Sequence, residues 1–300
     1  MRQGIDMAEG YPPRTLSLTD QSIHGRGFLR AAAIQLNSTP DRQRNLAAAD
    51  SLVRQAASAG ATLIVLPEKW PVLGTPAETA AGAESLDGGP TMTWARATAR
   101  DLGVDLVAGS FAEATDGERN RNTSVHVGPG GGDRAVYRKL HMFDVELGDA
   151  VYRESDTDEP GEDVVVSETA DGVELGLSVC YDLRFPELYR ELAVRGARIL
   201  CVPSAFTVPT TRDHWEILLR ARAIEDQCFV VAANQIGRHG SAHGAPASGG
   251  RSMIVDPWGV VLATAPDRPG FITADLDLEA QALTRSKLPS LANRRPEVYA

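Results

Sequence analysis

Three cysteines in 300 residues are too few, and odd in number, for a disulfide framework, so the sequence points to a reducing, cytoplasmic setting. No apolar run approaches the ~20 residues that cross a bilayer. The first 27 residues are polar and turn-rich and lack the apolar core of a signal peptide. They read as an extended or disordered arm ahead of one domain over residues 28–300. Basic residues are also short, 30 against 40 acidic, and the formal charge of −10 disfavours nucleic acid or an anionic membrane as partner. The chain shows no internal repeat and no linker long enough to divide it. What is present, 43% hydrophobic and 23% charged, is ordinary for a globular protein. A chain of this length buries roughly 75% of the surface its unfolded form exposes, so it needs no disulfide or metal staple.

Apolar runs and turn residues give an α/β order. "FLRAAAIQL" (28–36) reads as a buried strand, and Thr39-Pro40-Asp41 as the start of a helix that Gly60 ends. "ATLIVLP" (61–67) and "VDLVAGS" (104–110) read as buried strands on either side of a helix over 91–103. "NTSVHVGP" and "DRAVYRKL" flank a glycine turn and read as a hairpin. The α/β rhythm resumes with "VELGLSVC", a helix near 186–195 and "ARILCVPSA" (197–205). A helix over 214–227 follows, with Trp215, Leu218 and Leu219 on one face, and then "CFVVAANQ". Residues 238–250, "RHGSAHGAPASGG", read as a mobile polar loop, and further strands lie around "RSMIVDPWG" and "GFITADLDL". Near-continuous apolar strands imply sheets covered on both faces, and the hairpins imply that they are not purely parallel.

Polar residues interrupt this pattern at three strand ends. Glu68 ends "LIVLPE", Lys139 ends "AVYRK" and Cys180 ends "LGLSVC". Ligands of α/β sheets commonly sit at the carboxyl ends of strands, so three reactive side chains there can converge. The set suits acyl transfer. A thiol attacks as thiolate, a carboxylate takes its proton and returns it to a leaving amine, and an ammonium steadies thiolate and oxyanion. The backbone N–H of Tyr181, next after the nucleophile, is a second oxyanion donor. Taken singly, plainer readings prevail: packing for Cys180, a paired surface acid for Glu68, a solvated cation for Lys139.

The surrounding words add to the set. "LPEKW", "YRKLHMFD" and "CYDLRFPELYRELAVRGA" resemble, in order, the three signatures of the carbon-nitrogen hydrolases, the nitrilase superfamily. "PSAF", "HWEILLRARAIEDQCFVVAANQ", "DPWG" and "RRPEVYA" resemble its Nit branch, which holds the deaminated-glutathione amidase and the ω-amidase. The likeness runs from about residue 29 onward. It implies a four-layer α-β-β-α sandwich, no metal or organic cofactor, and a homodimer or larger even oligomer joined through helices. It places the catalytic glutamate on Glu68, the lysine on Lys139 and the cysteine on Cys180. The branch's second pocket glutamate falls on Glu154, in "VYRESD", with Glu146 as competitor.

The implied reaction is hydrolysis of a carboxamide to carboxylate and ammonia through a thioester. The implied substrate is a small-molecule acidic amide of the deaminated-glutathione kind. Keto-acid amides, N-carbamoyl amino acids and aliphatic amides are the alternatives within the superfamily, and a non-catalytic binding member the alternative outside it. Tyr181, Arg184, Phe206, Arg212 and His214 are the expected substrate-binding residues, with Arg184 and either Arg212 or His214 to meet substrate carboxylates. Arg184 reads equally as the partner of a neighbouring acid. His239 and His243 share a ligand-like spacing, but in a polar loop without a third ligand, so no metal is expected. Cys201 and Cys228 open apolar strand runs and read as core.

Overall fold

In the computed structural model, which describes residues 27–148, 150–241 and 245–299, the first apolar run forms strand β1 (Phe28–Gln35). There follow α1 (Arg42–Ser58), β2 (Leu63–Val65), α2 (Pro76–Ala81), α3 (Pro90–Leu102) and β3 (Asp105–Val107). Next come β4 (Phe111–Glu113), β5 (Arg121–Val127) and β6 (Asp133–Arg138). A separate hairpin, β7 (Asp144–Leu147) with β8 (Ala150–Arg153), precedes β9 (Val166–Glu168) and β10 (Glu174–Leu177). The chain goes on through α4 (Pro186–Val194), β11 (Ile199–Ser204), the short α5 (Val208–Thr210), α6 (Glu216–Asp226) and β12 (Phe229–Asn234). β13 (Ile236–Arg238) pairs with β14 (Ala247–Gly249). β15 (Met253–Val255), β16 (Val261–Thr264), β17 (Gly270–Asp277), α7 (Leu278–Lys287) and α8 (Pro296–Tyr299) complete the order. Apart from Gly27, the arm expected over residues 1–27 lies outside the described residues.

The strands build two sheets of like plan. The first has the order β17-β1-β2-β3-β5-β4, with β6 beside β5, around the parallel trio β1, β2 and β3. The second has the order β16-β15-β12-β11-β10-β9, around the parallel trio β10, β11 and β12. Antiparallel strands flank both trios, so neither sheet is purely parallel. Side-chain alternation sorts the faces. Ala31, Ala33, Leu63 and Val65 pack toward Leu175, Leu177 and Cys201 of the second sheet. Ala32, Ile34 and Ile64 face Ala49 and Val53 of α1 and Met92 and Ala95 of α3. Leu188 and Leu192 of α4 and Leu219 of α6 cover the second sheet's outer face. The result is the four-layer α-β-β-α sandwich expected from the sequence. Among the described residues, no helix is long and apolar enough to cross a membrane.

Several elements depart from the sequence reading. The first helix starts two residues later, because Asp41 rather than Thr39 supplies the cap: its carboxylate accepts from Arg44 N at 3.1 Å. The helix expected from 214 is regular only from Glu216, and Thr211–Trp215 is π-helical. The loop expected to be mobile over 238–250 carries structure at both ends. Arg238 pairs with Ala247, and His239 is buried, its Nδ1 held by Ser38 O and its Nε2 by Ser248 Oγ, each at 2.9 Å. Small polar residues hid this, since β13 and β14 draw on backbone pairing rather than an apolar run. His243 lies outside the described residues. Cys201 and Cys228 are buried in the core, as expected.

Candidate active site

The two sheets meet where their parallel strands end. Leu36, just past β1, bridges Gln235, just past β12, and Glu68 N reaches Ser204 O of β11. Glu68 follows the last hydrogen bonds of β2, where Leu66 N donates to Val107 O. Its buried carboxylate spans the two sheets. Oε1 accepts from Asn122 Nδ2 at 2.9 Å and Lys139 Nζ at 3.0 Å in the first sheet, and Oε2 accepts from Ala205 N at 3.0 Å in the second.

Lys139 sits one residue past β6, its backbone N–H still held by Asn122 O at 2.9 Å. The ammonium is fully enclosed and also donates to Glu154 Oε2 at 2.7 Å. Burial pulls this lysine's pKa down, but the Glu154 and Glu68 carboxylates outweigh it and hold the pKa well above the ordinary value. Glu154 opens a tight turn directly after β8 and accepts from Phe143 N at 2.8 Å, which closes the base of the β7–β8 hairpin. Burial pushes the Glu154 carboxyl up, yet Lys139 and Lys69 prevail and carry it far below the ordinary carboxylate range. Glu146 lies on the exposed edge of that hairpin, paired with Arg153, and takes no part in the cluster.

Cys180 follows β10 through an extended Val179 and takes φ +50°, a left-handed angle that L residues seldom adopt. This kink brings the thiol against Glu68 and Lys139 of the opposite sheet. Burial pushes the thiol pKa well above its ordinary value, Glu68 adds to the rise, and Lys139 offsets only part of it. Fully buried Asp182 secures the kink. Its carboxylate accepts from Val179 N and Tyr137 Oη, at 2.8 and 2.7 Å, and lies 2.8 Å from His141 Nδ1. Tyr137 stands two residues before Lys139, so one carboxylate ties the lysine strand to the cysteine turn.

These residues open on a cavity of about 660 Å³. Of the residues expected from the sequence, Glu68, Lys139, Glu154, Cys180, Tyr181, Arg184 and Phe206 line it. Arg212 and His214 do not. The π-helical turn directs Arg212 outward, 70% exposed and paired with Asp213 at 2.7 Å. His214 stands behind Arg184, its Nδ1 3.4 Å from the guanidinium. Arg184 itself is stacked within 6 Å of the Tyr181 and Phe206 rings, and no described carboxylate lies within ion-pair reach of it.

Comparison with known proteins agrees with this geometry. Residues 30–286 match the family model described as carbon-nitrogen hydrolase. The chain belongs to the carbon-nitrogen hydrolase family. A mouse relative, "Deaminated glutathione amidase", is 43% identical over 274 residues, 89% of this chain and 84% of its own. The solved structure of Saccharomyces cerevisiae Nit3, described as a member of branch 10 of the nitrilase superfamily, superposes with a TM-score of 0.80 at 28% identity, covering 90% of this chain and 97% of that one. A mutant amidase from Nesterenkonia sp. AN1 superposes with a TM-score of 0.77 at 29% identity, covering 92% and 97%. That protein carries the acetamide moiety of fluoroacetamide covalently on its active-site cysteine. The present chain is accordingly a hydrolase of non-peptide C–N bonds, a nitrilase-superfamily amidase.

Three residues of this carbon-nitrogen hydrolase site were not singled out from the sequence. Asn122 donates to both glutamates from the start of β5, where nothing marks it among its neighbours. Asp182 had a signal in its place two residues after Cys180. Lys69 had one in standing next to Glu68.

Proposed function

We propose that the chain hydrolyses a small acidic carboxamide of the deaminated-glutathione kind, with Cys180 as nucleophile. The observation that carries this is the thiol held at a left-handed angle against the Glu68 carboxylate, with Lys139 beside both. A thiol with a raised pKa is neutral at pH 7, so attack is coupled to proton transfer. As Sγ bonds the amide carbon, Glu68 takes the thiol proton, and the negative charge on the carbonyl oxygen is met by Lys139 and the Tyr181 N–H. Glu68 then gives that proton to the nitrogen, the C–N bond breaks and ammonia leaves a thioester. Water, deprotonated by Glu68, attacks the thioester. The carboxylate forms and the thiol regains its proton.

Arg184 supports the acidic substrate. It is the guanidinium in the cavity wall that has aromatic neighbours and no described acid, so a ligand carboxylate completes it. The three free thiols suit a reducing, cytoplasmic setting. The chain pairs with a second copy through α4 and α6, whose outer faces expose Val194, Ile217 and Ile224.

Ammonia release from deaminated glutathione, α-ketoglutaramate, an N-carbamoyl amino acid and a neutral aliphatic amide tests the reading. Turnover is highest on deaminated glutathione and vanishes in Cys180→Ala, and Arg184→Ala raises KM about tenfold or more for acidic amides only. Turnover surviving in Cys180→Ala removes the mechanism. An equal KM rise on the neutral amide removes the role of Arg184.

A further inference from the structure

Glu68 and Glu154 stand almost alike around the same donors. Lys139 Nζ donates to Glu68 Oε1 at 3.0 Å and to Glu154 Oε2 at 2.7 Å. Asn122 Nδ2 donates to Glu68 Oε1 at 2.9 Å and to Glu154 Oε1 at 3.1 Å. By these contacts alone, either carboxylate is equipped to hold a proton. The difference lies on the far side of Glu154. There Lys69 Nζ is 3.0 Å from Glu154 Oε1 and 2.9 Å from Asp158 Oδ2, with all three side chains largely buried.

Lys69 is the next residue after Glu68, yet its ammonium serves the other glutamate. Its backbone takes φ +46°, a left-handed angle, and its N–H is held by Ser110 Oγ at 3.0 Å. Asp158, almost fully buried, also accepts from Thr157 Oγ1 at 3.0 Å, so the anchor for Lys69 is itself fixed. Lys69 lines the cavity beside the catalytic group.

We propose that Lys69 is a positioning residue that makes the two carboxylates unequal: paired to Glu154, it keeps that group anionic and leaves Glu68 to accept the thiol proton. The inference rests on the Cys180–Glu68 mechanism proposed above. The ionisable groups that face one another here are Asp158, Lys69, Glu154, Lys139 and Glu68, with the Cys180 thiol beyond. Their charges alternate along the string, three carboxylates against two ammoniums, for a net charge of −1. Without Lys69 the same string carries −2 and draws in a proton. Lys139 and Asn122 then share that proton's destination between the two glutamates, and a Glu68 already protonated cannot take another from Cys180.

Lys69→Met and Lys69→Arg, each checked for folding by circular dichroism, are compared with wild type from about pH 5 to about pH 9. The readouts are kcat/KM on a neutral aliphatic amide and the rate of Cys180 alkylation by iodoacetamide. In Lys69→Met the acid limb of both profiles moves up by about one pH unit or more, and the optimum rate falls about tenfold. Lys69→Arg restores the limb. A folded Lys69→Met with the wild-type acid limb overturns the proposal even if its rate falls uniformly, because loss of packing alone lowers rates without moving a limb. If Lys69→Met does not fold, the neutral Lys69→Gln carries the same comparison. Cys180→Ala run alongside separates the two readings: a dead Cys180→Ala with an unshifted Lys69 variant removes only the role of Lys69, whereas an active one removes the mechanism beneath it.

Discussion

Burial raises the pKa of Cys180 and of Asp226 alike, but only the thiol has a carboxylate placed to take its proton. Asp226 ends α6, where helix carbonyls repel an anion. Arg190 is 3.2 Å from its Oδ1, yet neither oxygen gains a hydrogen bond, and burial pushes the carboxyl up to about 7. An acid with a raised folded pKa binds its proton more tightly folded than unfolded. The stability it contributes is therefore present at low pH and lost as pH rises through about 7. The urea midpoint should fall by the equivalent of about 1–3 kcal/mol from about pH 6 to about pH 8.5, and Asp226→Asn should flatten that slope. An unchanged slope in Asp226→Asn would assign the pH dependence to other groups. At this scale the sequence reading located the residues that end apolar strands, Glu68, Lys139 and Cys180, because a polar break in a buried run is visible. It missed Lys69 and Asp182, whose partners are 89 and 45 residues away, at Asp158 and Tyr137. It misplaced Arg212, because a π-helical turn changes which way a side chain faces without changing composition.

Among the elements, the turn after β3 fixes Glu68 most directly. Gly109 takes φ +64°, and a Cβ there would collide with the Pro67 carbonyl oxygen and the Trp70 ring. That close approach lets Ser110 N reach Pro67 O at 3.2 Å and sets Pro67–Glu68 against the second sheet. Gly109→Ala should cost about 2–4 kcal/mol in the urea midpoint and reduce turnover by more than the stability loss explains. A stable, fully active variant would show that the β2 end tolerates displacement. Buried strands and amphipathic helices were the legible elements, since each announces itself by period. The β7–β8 hairpin and the β13–β14 pair were not. Their strands are short and polar and are held by backbone pairing and by single anchors such as Glu154 and His239.

For the molecule as a whole, the layers were legible because continuous apolar strands demand cover on both faces, whereas the docking of one sheet on the other depends on contacts with no local signature. An outer face on α6 that leaves Ile217 69% exposed is a poor surface for a single chain in water. Ile217→Asp with Ile224→Asp should shift sedimentation equilibrium from paired to single chains. A wild type that already sediments as a single chain removes the proposed dimer. The pairing of β1 with β17 has a separate consequence, for the order in which the chain can be finished. Phe28 to Gln35 is matched in full against Asp277 to Gly270, and every strand of the second sheet is made between them. On the ribosome β1 emerges early but waits with one edge unpaired, an edge prone to association with other chains. The first sheet is completed only after the second has been synthesised, so the sheet that carries Glu68 gains its edge strand after the sheet that carries Cys180 is already made.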